Sequence, residues 1–200
     1  MRNIRLTIAY RGTAYSGWQI QPSAPTVQGT IEARLAQMTG KPCRLRAAGR
    51  TDAGVHAEGQ VANFHTESAI PVRGLFRGLN ALLPDDIAIR NVQEVPLEFD
   101  TRRHNHGKHY RYIVWNQRAP APDREPHCCH VHRALDCEAM AAAARLLVGT
   151  HDFASFRSAS CERETTVRTL YRCTVARHTW LPLVEIHVEG TAFLKNMVRI

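Results

Sequence analysis

Ile4-Arg5-Leu6-Thr7-Ile8-Ala9-Tyr10 sets an apolar side chain at every second position, the period of a strand with one buried face. Gly12 and Gly17 mark a loop after it. Thr26 is placed to cap a helix that carries Val27, Ile31, Leu35 and Met38 on one face, and Gly40 ends that helix. Two strands are expected near Cys43–Ala48 and Gln60–Phe64. Pro71 opens a second helix with Leu75, Leu79 and Leu82 inward, and Pro84 stops it. Ile87 to Val92 reads as a further strand.

The order strand, helix, strand, strand, helix, strand is that of a split βαβ, or ferredoxin-like, unit. It then begins again. His109–Trp115 is rich in aromatic and β-branched residues, as strands are. Asp136 can cap a helix with Met140, Ala144 and Leu147 on one side, and Leu170–Val175 and Val184–Val188 read as strands. The segment from Phe193 looks like a helix start with an exposed apolar side. The expected fold is therefore α+β with two ferredoxin-like halves, residues 1–100 and 101–200, the second incomplete at its C-terminal end. Gln117 to His132, rich in Pro and Arg, is expected to be a connecting loop with some structure of its own.

Composition narrows the function. The chain has 200 residues, 44% of them hydrophobic, with no run of eighteen apolar residues and no apolar leader in Met1–Tyr10. That pattern points to the cytoplasm and away from a membrane. The six cysteines lack a disulfide-framework spacing and read as free thiols. The net charge is +8, carried mostly by the second half of the chain and by arginine. The planar guanidinium fork suits phosphate, so a polyanion such as nucleic acid is one implied partner. A role in solubility alone is the other reading.

The densest chemical signal is Ala48-Gly49-Arg50-Thr51-Asp52-Ala53-Gly54-Val55-His56. In an extended turn, residues two apart project to the same side, so Arg50 and Asp52 can present a paired charge. A carboxylate beside a guanidinium stays ionised, and an ionised, positioned carboxylate is a nucleophile for sugar chemistry. An Asx-type turn with a surface ion pair accounts for the same residues. The stretch is not a phosphate-binding P-loop, because the Gly-Lys-Ser/Thr ending is absent.

This segment resembles the Gly-Arg-Thr-Asp-Ala-Gly-Val-His signature of the TruA family of tRNA pseudouridine synthases. Tyr15-Ser16-Gly17-Trp18-Gln19, Val27-Gln28, Gly78–Pro84, Tyr110-Arg111-Tyr112, Asp152–Phe156 and Ala192–Arg199 also match that family, in its order, over nearly the whole chain. The resemblance implies that Asp52 is the catalytic nucleophile and that Tyr110 stacks on the target uracil. It implies that Arg199 pairs with the catalytic Asp and that Arg50 helps open the stem and hold the flipped-out site. Asp52 would line a cleft between the halves, with Tyr110 and Arg199 contributed by the second half. The implied substrate is uridine in the anticodon stem-loop of tRNA, and the implied assembly is a homodimer. The chemistry breaks the C1′–N1 bond, turns the uracil and joins C1′ to C5. Nothing is oxidised or hydrolysed, so no metal and no cofactor is expected. Asp52 either attacks the sugar or assists departure of the base. Flipping the base costs a few kcal/mol, and stacking on Tyr110 offsets part of it.

The sequence departs from the family pattern at Arg11, where Asp is usual, and at His104-Asn105-His106-Gly107, which replaces a Ser-Ala segment. Both bear on RNA positioning. A catalytically impaired RNA-binding protein or tRNA chaperone of the same fold is the alternative function. A basic structural protein is another, but it would not need the Gly49–His56 loop. His127-Cys128-Cys129-His130-Val131-His132 could offer metal ligands, but adjacent cysteines ill suit one tetrahedral ion. Loop thiols and surface histidines are the preferred reading. His56 can carry protons or, preferably, fix the loop. Trp18 and Trp115 can stack on RNA, although alternation with Ile113 places Trp115 in the core.

Overall fold

The computed structural model describes residues 1–161 and 164–200. Its first strand, β1 (Arg2–Tyr10), buries Ile4, Leu6, Ile8 and Tyr10, the alternation the sequence sets. Helix α1 (Val27–Thr39) starts where the Thr26 hydroxyl accepts the Gly29 amide at 3.3 Å, and it ends at Gly40. A short strand, β2 (Arg46–Ala47), precedes the long β3 (Ala57–Thr66). Helix α2 (Val72–Leu82) and strand β4 (Ile87–Val95) follow. The sheet order is β2-β3-β1-β4, and every pairing is antiparallel. Ile4 lies opposite Phe64, and Leu6 opposite Ala62 and Val92. Onto this face pack Val27, Ile31 and Leu35 from α1 and Leu75 and Leu79 from α2. Burying each such aliphatic side chain contributes roughly 1.5–3 kcal/mol relative to exposure. The strand expected over Cys43–Ala48 is confined to two residues. Leu83, rather than Leu82, is the buried leucine at the end of α2.

The opposite face of this sheet has a polar centre. Asn3 and Asn63 are fully buried, and the Asn63 amide donates to Asn3 Oδ1 at 2.9 Å. Asn3 also donates to the carbonyls of Pro96 and Phe99, and the Thr101 hydroxyl donates to the Arg46 carbonyl at 2.8 Å. Buried amides are tolerated only when satisfied in this way. The result straps residues 96–104 across the sheet, and the first compact unit runs from Met1 to Asn105.

The second unit, His106–Ile200, contains β5 (Lys108–Trp115), β6 (Cys129–His130), α3 (Cys137–Leu146), β7 (Gly149–Asp152), β8 (Val167–Arg177) and β9 (Leu183–Gly190). Its sheet order is β6-β5-β9-β8-β7. Asp136 caps α3 by accepting the amides of Glu138 and Ala139. The expected loop from Gln117 to His132 contains a 3-10 turn at Glu125–His127 and the short β6, which pairs in parallel with β5.

The chain after Phe193 is not helical. It forms turns, with Met197 N donating to the Leu194 carbonyl and Arg199 N to that of Asn196. Asn196 has φ 61°, a left-handed conformation that a right-handed helix does not accommodate. Of the apolar side of this segment only Ile200 is exposed among the described residues. Leu194 and Met197 are buried with Phe153 and Leu170. Trp115 is half-buried rather than central. Val114 is the buried residue there, while Trp115 donates to the Ala119 carbonyl and lies under the Arg124 guanidinium at 5.4 Å.

Candidate active site

Asp52 sits in the loop between β2 and β3, and that loop is built against the segment that follows β1. The Trp18 amide donates to the Thr51 carbonyl at 3.0 Å, and the Gly54 amide donates to that of Tyr15 at 3.3 Å. A hydrogen bond of 2.8 Å joins the hydroxyls of Tyr10 and Thr51. The Gly12 amide donates to His56 Nδ1 at 3.2 Å, and Gln60 donates to the Gly49 carbonyl at 2.8 Å. Val55 N closes a turn onto the Asp52 carbonyl at 3.2 Å. The residues on both sides of Asp52 are therefore pinned. Its own carboxylate is exposed and has no hydrogen-bond or ion-pair partner among the described residues.

Two glycines make this approach of two loops feasible. Gly12 is buried, and a Cβ there would meet the Val55 carbonyl oxygen at 2.0 Å. Gly17 has φ 91°, which side-chain-bearing residues rarely adopt, and its Cβ would meet the Thr51 carbonyl oxygen at 2.6 Å. Trp18 is 2% exposed and packs against Tyr10 with ring centroids 5.9 Å apart. It is thus core, and the reading that it stacks on RNA is corrected. His56 holds the first loop through Gly12.

Arg50 is exposed in the same loop, but no ion pair joins it to Asp52 among the described residues. The charge pair expected from their spacing is not formed: the turn at Ala53 and Gly54 begins only after both residues, and their two side chains are exposed without meeting. In the second unit Tyr110 lies half-buried on β5, edge-on to Phe193 with centroids 4.9 Å apart. Arg199 is exposed in the turns after Leu194. Burial first, and a hydrogen bond to Cys129 next, push the Tyr112 phenol up; the nearby Arg199 guanidinium pulls it the other way. Among the described residues no three His, Cys, Asp or Glu side chains are grouped to hold a metal ion. All six cysteines are free, and burial pushes the Cys128 and Cys173 thiols up, against thiolate formation.

Comparison with known proteins decides what this loop belongs to. The family described as tRNA pseudouridine synthase matches residues 6–102 and 143–200. The chain belongs to the tRNA pseudouridine synthase family. The matched segments contain Arg50, Asp52 and Arg199, and Tyr110 lies in the stretch between them. Among curated relatives, tRNA pseudouridine synthase A of Geotalea uraniireducens (strain Rf4) is 50% identical over 200 residues, covering 100% of this chain and 81% of that protein. The protein of the same name from Geotalea daltonii is 47% identical with the same coverage. That from Myxococcus xanthus is 45% identical over 199 residues, or 75% of its own length.

For this family member, the sequence reading missed the residues that hold the loop. Tyr10, read only as a strand residue, anchors Thr51. Tyr15 donates to Asp86 Oδ1 at 2.8 Å, and Asp86 also accepts the Arg11 amide through its carbonyl at 2.8 Å. Burial, then the bond to Asp86, raise the Tyr15 phenol to about 12, so it remains a donor throughout the ordinary pH range. A raised folded-state value gives stability that is present below pH 10 and lost as pH climbs towards about 12. Tyr15→Phe is expected to cost about 1–3 kcal/mol in urea unfolding at neutral pH, because it removes a hydrogen bond to a charged, half-buried acceptor. An unchanged midpoint would remove Tyr15 from the set of residues that hold the loop.

Proposed function

We propose that this chain isomerises uridine to pseudouridine in the anticodon stem-loop of tRNA, with Asp52 as the nucleophile. The observation that carries the reading is the free Asp52 carboxylate on a loop fixed on both sides, in a chain of this family. A nucleophile must be accessible while its backbone is held, since positional error is costly in rate. In this reading the C1′–N1 bond breaks, the uracil turns, and C1′ bonds to C5. The C5 proton is lost and N1 gains one, so the composition of the nucleotide is unchanged. Asp52 either bonds to C1′ or assists departure of the base. Tyr110 supplies the stacking face, Arg199 is the basic partner of Asp52, and Arg50 holds the opened stem.

The arrangement of elements supports a ferredoxin-like reading of each unit. In the first sheet β3 lies between β1 and β2, and in the second β9 lies between β5 and β8, so β5, α3, β8 and β9 follow the pattern of β1, α1, β2 and β3. No helix among the described residues is long and apolar enough to cross a membrane. A cytoplasmic homodimer acting without a cofactor completes the proposal.

The test is to incubate the protein with unmodified tRNA and map pseudouridine. Product in the anticodon stem-loop supports the reading. Tight binding without product would favour the RNA-binding or chaperone alternative. Tyr110 has its own test. Tyr110→Ala is expected to weaken tRNA engagement by roughly 1–3 kcal/mol through lost stacking, whereas Tyr110→Phe keeps it. Wild-type affinity and rate in both variants would show that Tyr110 does not meet the base.

A further inference from the structure

The second unit carries an aromatic group that the proposed chemistry leaves unused. Trp180, at the tip of the β8–β9 hairpin, is 88% exposed, the highest value among the large apolar side chains. The turn that presents it is tied down. The His178 amide donates to the Leu183 carbonyl at 2.8 Å, and His178 Nδ1 accepts the amides of Trp180 and Leu181 at 3.3 and 3.2 Å. A large apolar ring held in water on an ordered turn is pre-organised for contact, because little ordering entropy remains to be lost.

Its surroundings indicate the partner. Asn116 joins three segments: its amide donates to the Pro182 carbonyl at 2.7 Å, and its side chain donates to the Val131 and Arg133 carbonyls at 2.9 and 2.6 Å. Arg177 donates to Asn116 Oδ1 at 3.0 Å and to the Leu135 carbonyl at 3.1 Å, and His130 Nε2 lies 2.8 Å from the Gln117 carbonyl. These bonds gather residues 115–119, 129–135 and 175–184 at one end of the sheet. Together the three segments hold Arg118, Arg133, Arg177, His130, His132 and His178, all exposed, and not one Asp or Glu. Two carboxylates border these segments: Asp136 is occupied in capping α3, and Glu185 is engaged by Arg111 and His187. Arginines around an exposed indole, with no negative charge among them, match a single-stranded nucleic acid, whose bases stack and whose phosphates need cations.

We propose that this end of the second sheet is an additional tRNA contact, in which an unpaired base stacks on Trp180 and flanking phosphates are held by Arg118 and Arg133. The inference rests on the tRNA reading above and adds a second grip to it. The hairpin end that carries Trp180 is where Leu183 pairs with Trp115, five residues along β5 from Tyr110 and roughly 17 Å at strand rise, so Trp180 and Tyr110 engage different nucleotides.

The experiment uses the full chain and an unmodified tRNA transcript. Trp180→Ala is expected to bind roughly tenfold more weakly, and Trp180→Phe to bind like wild type. Trp18 is buried and Trp115 half-buried, so quenching of tryptophan fluorescence by tRNA reports chiefly on Trp180 and is expected to be lost in Trp180→Phe. The double variant Arg118→Gln, Arg133→Gln should lower the slope of log Kd against log salt by about one for each phosphate contact removed. Thermal melts check that each variant is folded. Wild-type affinity in folded Trp180→Ala overturns the inference. So does a Trp180→Ala variant whose sedimentation changes while tRNA affinity does not, which would assign the surface to a second copy of the chain. Failure of the tRNA reading is a separate outcome, since it shows as absence of pseudouridine from the wild-type protein.

Discussion

Asp52→Asn is expected to abolish pseudouridine formation, lowering the single-turnover rate by on the order of 10⁴-fold or more, while stability and tRNA affinity hardly move. The size of the effect follows from the proposed role: asparagine keeps the shape of the side chain and discards its nucleophilic charge. The selectivity follows from the structure. The loop is held through the Thr51 carbonyl and hydroxyl, the Gly54 amide and His56, while the Asp52 carboxylate takes no part. Substitution of an exposed side chain without partners ordinarily changes stability by less than about 0.5 kcal/mol. The measurement is pseudouridine yield in a single turnover, beside a urea titration and a tRNA binding curve. Turnover within tenfold of wild type would remove Asp52 from the chemistry. A large loss of stability would show instead that the carboxylate is structural.

The parts of this protein that follow periodicity were legible in its sequence. Alternation from Ile4 to Tyr10 gave β1 its buried face, and Thr26 and Asp136 gave α1 and α3 their caps, because each signal acts through nearest neighbours along the chain. What escaped depends on contacts distant in sequence. Nothing local to Asn3 or Asn63 announces that they are buried together under residues 96–104. Nothing local to Leu194 and Met197 distinguishes a helix start from a turn whose apolar side chains fill a core, until Asn196 is seen in the left-handed region. The candidate site divides in the same way. Gly49–His56 is a compact signature, legible because its chemistry and its backbone are encoded in one stretch. The charge pair expected within it is not formed, because spacing along the chain puts two side chains on one side without bringing their ends together. Its supports, Tyr10, Gly12, Tyr15 and Asp86, are distant in sequence, the Tyr10–Thr51 and Gly12–His56 bonds spanning 41 and 44 residues and the Tyr15–Asp86 bond 71, and they are identified only by geometry.

Gly12→Ala is the second substitution with a large expected effect, and it tests those supports. An alanine Cβ at position 12 would lie 2.0 Å from the Val55 carbonyl oxygen, 2.7 Å from its carbon and 3.0 Å from its nitrogen. All three are backbone atoms, so no side-chain rotation relieves the clash. Gly12 is not among the residues with positive φ, so the cost is steric rather than conformational. The two loops must separate, and Val55, whose amide closes the turn onto the Asp52 carbonyl at 3.2 Å, must move with them. Overpacking of this kind costs about 1–3 kcal/mol. A displacement near 1 Å at the nucleophile lowers the rate by roughly 10²-fold. Gly59→Ala is the control: it lies in β3, a Cβ there meets nothing within 4 Å, and its φ is ordinary, so it should leave both quantities near wild type. Thermal melts and single-turnover yields of the two variants make the comparison. If Gly12→Ala matched Gly59→Ala in both, the close packing of the first loop on Val55 would not be what positions Asp52.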